Sequence, residues 1–87
     1  MKYILVISNK ANKNIKSIPE NYKKRIKVFI SKLEDYLFPE RYDIIKNSGH
    51  ENRYRCRIGV YRVVYELEDN KIVIEIVNID HRKDVYK

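Results

Sequence analysis

The chain has 87 residues, which is room for one domain around a small core. Its formal charge of +7, from 19 Lys+Arg against 12 Asp+Glu, favours polyanionic partners: nucleic acid, an acidic protein or an anionic surface. The lone cysteine, Cys56, excludes an internal disulfide and a thiolate metal cluster, and an apolar fraction of 44% argues against disorder.

Tyr3 to Ile7 is a continuous apolar run that reads as a strand. It is too short for the core of a signal peptide or for a membrane span, so the expected location is the cytoplasm, with no membrane partner. Ser8-Asn9 breaks the run and can cap a helix. Ala11, Ile15 and Ile18 share one face of that short helix. Ser17-Ile18-Pro19-Glu20 has capping-box spacing and announces a second helix. There, Tyr22, Ile26, Phe29, Leu33, Tyr36 and Leu37 recur at helical period, with lysines opposite. Phe38-Pro39 should end that helix.

Residues 41–52 show no clear period and contain a turn signal, Asn47-Ser48-Gly49-His50. From Arg53 the period becomes two: Tyr54, Cys56 and Ile58 alternate with Arg53, Arg55 and Arg57. Gly59-Val60 is a tight connection to the strand Tyr61–Glu68, in which Val63-Val64 indicates a central, covered position. Asp69-Asn70 reads as a two-residue hairpin turn into a last strand, Lys71–Asn78, with Ile72, Ile74 and Ile76 on one face. The expected fold class is α+β: a single domain, residues 1–87, with order β-α-α-β-β-β. Its antiparallel sheet, a three-strand C-terminal meander plus the N-terminal strand, packs on an α-helical hairpin.

The chemistry concentrates late in the chain. Five of the seven arginines lie at or beyond Arg53, whereas the helices use lysine almost throughout. Arginine suits bidentate phosphate contact and stacking on bases. Arg53, Arg55 and Arg57 share strand parity and form a row, interleaved with tyrosines. Two readings stay open on spacing alone: a solubilising sheet face, or a phosphate cradle with tyrosine for stacking or proton transfer. His50 and His81 have no neighbouring ligands at metal-site spacing, so no metal is expected. Cys56 shares parity with Tyr54 and Ile58 and is expected in the core.

Tyr54-Arg55-Cys56-Arg57-Ile58-Gly59-Val60-Tyr61-Arg62-Val63-Val64-Tyr65 and the closing His81-Arg82-Lys83-Asp84-Val85-Tyr86 resemble two motifs of the RelE/ParE toxin superfamily. The N-terminal strand and paired helices agree with it, so the resemblance covers essentially the whole chain. It implies the toxin of a type II toxin–antitoxin system: a ribosome-dependent endoribonuclease that cuts mRNA in the A site without metal or cofactor. The same superfamily also implies two alternatives, a DNA gyrase inhibitor of the ParE kind and a degenerate toxin acting only as operon corepressor. Implied partners are an acidic RelB-like antitoxin, the ribosome and mRNA, and operator DNA only through the antitoxin complex.

Carried over position by position, the catalytic set is Arg55, Arg57, Arg62, His81, Arg82 and Tyr86, with Arg53 and Lys83 as further RNA contacts. Some RelE enzymes carry lysines where this chain has Arg55 and Arg57. A guanidinium keeps its proton, so the proton acceptor would be His81 or Tyr86.

Overall fold

A computed structural model describes residues 2–81. Arg82, Lys83 and Tyr86 lie outside the described residues. The element order is β1 (Ile4–Ile7), α1 (Asn9–Lys16), α2 (Glu20–Lys32), β2 (Asp43–Lys46), β3 (Arg53–Ile58), β4 (Tyr61–Leu67) and β5 (Val73–His81). The strands form one sheet ordered β1-β5-β4-β3-β2. The α+β class and the helical hairpin stand as expected. The sheet differs in two respects, being mixed rather than antiparallel and having an additional strand.

The additional strand is β2, which pairs antiparallel with β3 from Asp43↔Arg57 to Lys46↔Tyr54. Its four residues, Asp-Ile-Ile-Lys, are too few to show alternation. The Asn47–His50 turn signal is the loop joining β2 to β3. β1 runs parallel to β5, with Ile4 opposite Val73 and Ile7 opposite Ile76. The reason lies in the start of α1. Ser8 Oγ accepts from Ala11 N (3.0 Å) to cap α1 and donates to Val77 O (2.6 Å), while Asn14 Oδ1 accepts from Ile79 N (2.9 Å). Helix α1 thus continues along β5 where β1 stops, which requires β1 and β5 to share a direction.

The helix ends also depart from expectation. Ser17 does not cap α2, because its N–H and Oγ both donate to Asn14 O and close α1. Helix α2 begins instead after Pro19, whose ring fixes φ at −56° while its ψ of 147° stays extended, with Glu20 in its first turn. It ends at Lys32 rather than Leu37. The carbonyls beyond that point serve the rest of the fold: Tyr3 N donates to Glu34 O (2.7 Å) and Tyr65 Oη to Leu37 O (2.8 Å). Tyr36, expected on the apolar face, is therefore 66% exposed. The β4–β5 connection is longer than two residues: Lys71 adopts φ +64°, and Asn70 Oδ1 accepts from the N–H groups of Ile72 and Val73. Ile72 consequently falls outside the strand and is exposed.

The core lies between the helices and one sheet face, with Ile26, Phe29 and Leu33 against Cys56, Val63, Tyr65, Ile74 and Ile76. A bulge at Val64/Tyr65 opposite β5 returns Ile79 to the same face as Ile74 and Ile76. Cys56 is fully buried, as its parity predicts. Burial pushes its thiol up to about 12, with the Asp43 carboxylate adding to the effect. A raised acid favours the protonated, folded form. That stabilisation is complete below the ordinary thiol value near about 8.5 and is lost as pH climbs toward about 12. Folded protein at mildly alkaline pH should therefore resist a disulfide-exchange reagent, and labelling should follow unfolding. Rapid labelling of the native state would contradict this burial.

Among the described residues, no helix is long and apolar enough to cross a membrane.

Candidate nucleic-acid interface

The sheet face away from the helices carries three rows, fixed by strand register. The first is Asp43–Arg57–Arg62–Asp80, the second Ile45–Arg55–Val64–Asn78, and the third Arg53–Glu66–Glu75–Val6. Opposed residues on neighbouring strands lie within about 4.5–5.5 Å at Cβ, so each row is a line of contact across the sheet. Strand parity thus brings Arg53, Arg55 and Arg57 to one face, as the alternation predicts, and the β3–β4 register adds Arg62 to it.

Their environments differ. Arg53 Nε donates to Glu66 Oε1 at 3.0 Å, so its guanidinium is engaged. Glu66, Glu68 and Glu75 place carboxylate oxygens within 4.8 Å of one another at that end of the face. Arg55 sits between Ile45 and Val64, and Val64 is buried although it lies outside the main core cluster. Arg57 and Arg62 stand directly opposite each other, a like-charged pair that costs stability. Neither has an acidic partner within 4.0 Å among the described residues. Arg62 Nε is buried with no hydrogen-bond partner. A buried donor left unpaired costs about 1–3 kcal/mol, a cost that no contact among the described residues offsets at this atom.

His81 falls elsewhere. It pairs with Tyr61 across the strands, and its ring meets the Tyr61 ring edge-on with centroids 5.1 Å apart. Tyr61 in turn packs on Tyr22 of α2 at 5.3 Å. His81 is therefore on the helix side of the sheet, opposite the arginine rows. The described residues bring Arg55, Arg57 and Arg62 together and leave His81 on the other side.

The sequence reading missed the acids of these rows. Asp43, Glu66 and Asp80 come from other strands, so their proximity to the arginines exists only once register is known. It also missed a cleft of about 400 Å³ at the β2 edge, lined by Arg25, Arg41 and Arg57 together with Asp43.

Comparison with known proteins gives a consistent result. The profile of the family described as "ParE toxin of type II toxin-antitoxin system, parDE" matches residues 5–86. Toxin RelE3 of Methanocaldococcus jannaschii is 34% identical over 85% of this chain and 84% of its own length. RelE1 of the same organism is 36% identical, covering 100% of this chain and 98% of its own. Among solved structures, the archaeal RelE–RelB complex from Pyrococcus horikoshii OT3 superposes with a TM-score of 0.82. It is 33% identical over 94% of this chain and 97% of that one.

Proposed function

Since the chain belongs to the RelE/ParE superfamily of toxins from type II toxin–antitoxin systems, we propose that it is a ribosome-dependent endoribonuclease that cleaves mRNA in the A site. The observation that carries this reading is the Arg57–Arg62 pair, two arginines directly opposite each other across β3 and β4, one with a buried and unpartnered Nε. Such a pair is suited to a phosphodiester gaining negative charge. The 2′-hydroxyl gives up its proton to a base and attacks the adjacent phosphorus, a 2′,3′-cyclic phosphate forms as the P–O5′ bond breaks, the 5′-oxygen leaves as a hydroxyl protonated from solvent, and the guanidinium groups stabilise the added charge of the transition state. Arg55 extends the cationic surface along the strand. The ring of His81 lies against Tyr61, which favours Tyr86 as the proton acceptor and stacking group. Arg82 and Lys83 supply further phosphate contacts in this scheme. The chemistry needs no metal or cofactor.

The partner is an acidic antitoxin. Two structurally similar archaeal RelE chains, at 33% and 28% identity, were solved in complexes with RelB. On this chain, a groove of about 490 Å³ between β1 and the helices is lined by apolar residues including Leu5, Ile15 and Ile30 and by Lys16, Lys23 and Lys27 against a single acid, Glu34. An amphipathic acidic segment fits that combination, and the chain's charge of +7 favours it generally. Operator DNA is reached only through the antitoxin complex, and the site of action is the cytoplasm.

The ParE description of the matching profile favours a second reading, inhibition of DNA gyrase without chemistry. Primer extension on ribosome-bound message after induction separates the two. Breaks within codons are expected. A DNA-damage response without breaks would replace the nuclease with the gyrase inhibitor, and neither effect would leave a corepressor.

A further inference from the structure

Among the described residues, the arginines outside the sheet rows are Arg25 and Arg41. They come from different parts of the chain, Arg25 on α2 and Arg41 just before β2. Both line the cleft of about 400 Å³ at the β2 edge, and the third arginine there is Arg57 of the sheet rows. The chain has more lysines than arginines, yet no lysine lines this cleft. Asp43 is its one acidic residue, so the lining keeps an excess of positive charge. Arg25 rests over the Tyr22 ring, with Cζ 5.6 Å from the centroid, which restrains the guanidinium at the β3–β4 turn. Arg41 holds a left-handed backbone with φ +71°, a conformation that glycine or asparagine adopts with less strain.

We propose that Arg25, Arg41 and Arg57 form a second phosphate-binding site, which takes the backbone of a single-stranded RNA leaving the Arg57–Arg62 face around the β2 edge. This rests on the nucleic-acid reading of that face. Arg57 belongs to both groups, so one strand can pass from the first to the second without crossing an uncharged gap. Guanidinium groups also match phosphate oxygens bidentately, which ammonium groups do not. An acidic protein segment is the competing occupant. RNA is favoured because the cleft is continuous with the row that carries Arg62, whereas the groove suited to an acidic amphipathic segment lies at the β1 side.

The test measures fluorescence anisotropy of a labelled single-stranded RNA of about 12 nucleotides, free of ribosomes, across a salt series. The doubly substituted protein Arg25→Gln, Arg41→Asn keeps a residue tolerant of positive φ at position 41. It should bind about tenfold more weakly near 0.1 M salt, with a log–log salt slope reduced by about 1.4, or about 0.7 per lost phosphate contact. The control Lys10→Gln, Lys13→Gln removes the same charge from α1 and should leave the slope unchanged. Equal losses in both proteins would reduce the effect to the general field and overturn the site. An unchanged RNA slope with weakened binding of the antitoxin would overturn it in favour of the acidic segment. Far-ultraviolet circular dichroism must match wild type in both. Because binding is read without message cleavage, a wild-type protein that binds this way but cuts nothing would refute the nuclease and leave the site standing.

Discussion

Replacing Arg62 with alanine should lower message cleavage by about 10³-fold while leaving the fold as stable as before, or slightly more stable. The rate estimate rests on removing one fixed donor of a transition-state anion, which costs about 10²–10³ for an oxyanion contact and about 10³–10⁵ for an arginine acting on phosphoryl charge. The stability estimate rests on Arg62 itself. Its Nε is buried without a partner and it stands opposite Arg57, with Asp80 on its other side offsetting only part of that repulsion, so the side chain adds little to folding. Alanine removes both costs and loses the packing of the aliphatic stem. Activity and stability should therefore move independently, as expected for a residue kept for chemistry. Arg62→Lys should recover only part of the rate, because an ammonium cannot grip two phosphate oxygens in a plane. The measurement is single-turnover cleavage of ribosome-bound message, read beside a thermal melt. Full activity in Arg62→Ala would remove the arginine pair from the mechanism. Lost activity with a collapsed melt would show that the residue acts through the fold.

The arginine row was legible in sequence because strand parity is local: residues two apart share a face wherever the strand lies. The same rule placed Cys56 and Ile58 inside, while the consecutive apolar pair Val63-Val64, which breaks the alternation, marked a central strand covered on both faces. Parity does not say which residues stand opposite. Asp43, Glu66 and Asp80 became neighbours of Arg57, Arg53 and Arg62 only through cross-strand register, as did the opposition of Arg57 and Arg62. His81 obeys the same logic. Its motif position suggested the reactive surface, but its pairing with Tyr61 sets it on the helix side. β2 escaped notice because a four-residue strand is stabilised by its partner and not by its own pattern. The direction of β1 was hidden for a similar reason, since side-chain contacts from Ser8 and Asn14 to β5 determine it. Arg25 and Arg41 illustrate the limit most plainly, as nothing local links a helix residue to a loop residue across the β2 edge.

The β3–β4 turn yields the largest expected effect on stability. Ile58 pairs directly with Tyr61, so Gly59-Val60 is a two-residue hairpin loop. Gly59 has φ +60°, while Val60 is not among the residues with positive φ, the pattern of a type II′ turn with glycine first. Two separate penalties await a side chain there. A left-handed backbone costs an L-residue about 1–2 kcal/mol. A Cβ at Gly59 would also overlap Cε1 of Tyr22 and lie 3.0 Å from its Cδ1, and overpacking costs about 1–3 kcal/mol. Gly59→Ala should therefore destabilise the protein by about 2–5 kcal/mol, a large share of what so small a domain has. The two penalties can be separated. Removing the ring in Tyr22→Ala forfeits its packing on Tyr61 but opens the space a Cβ needs. In that background Gly59→Ala should cost only the backbone part, and a double-mutant cycle in urea should return a coupling of about 1–3 kcal/mol, the steric part. Simple additivity would mean that the Tyr22 ring moves aside freely and that the turn conformation alone requires glycine.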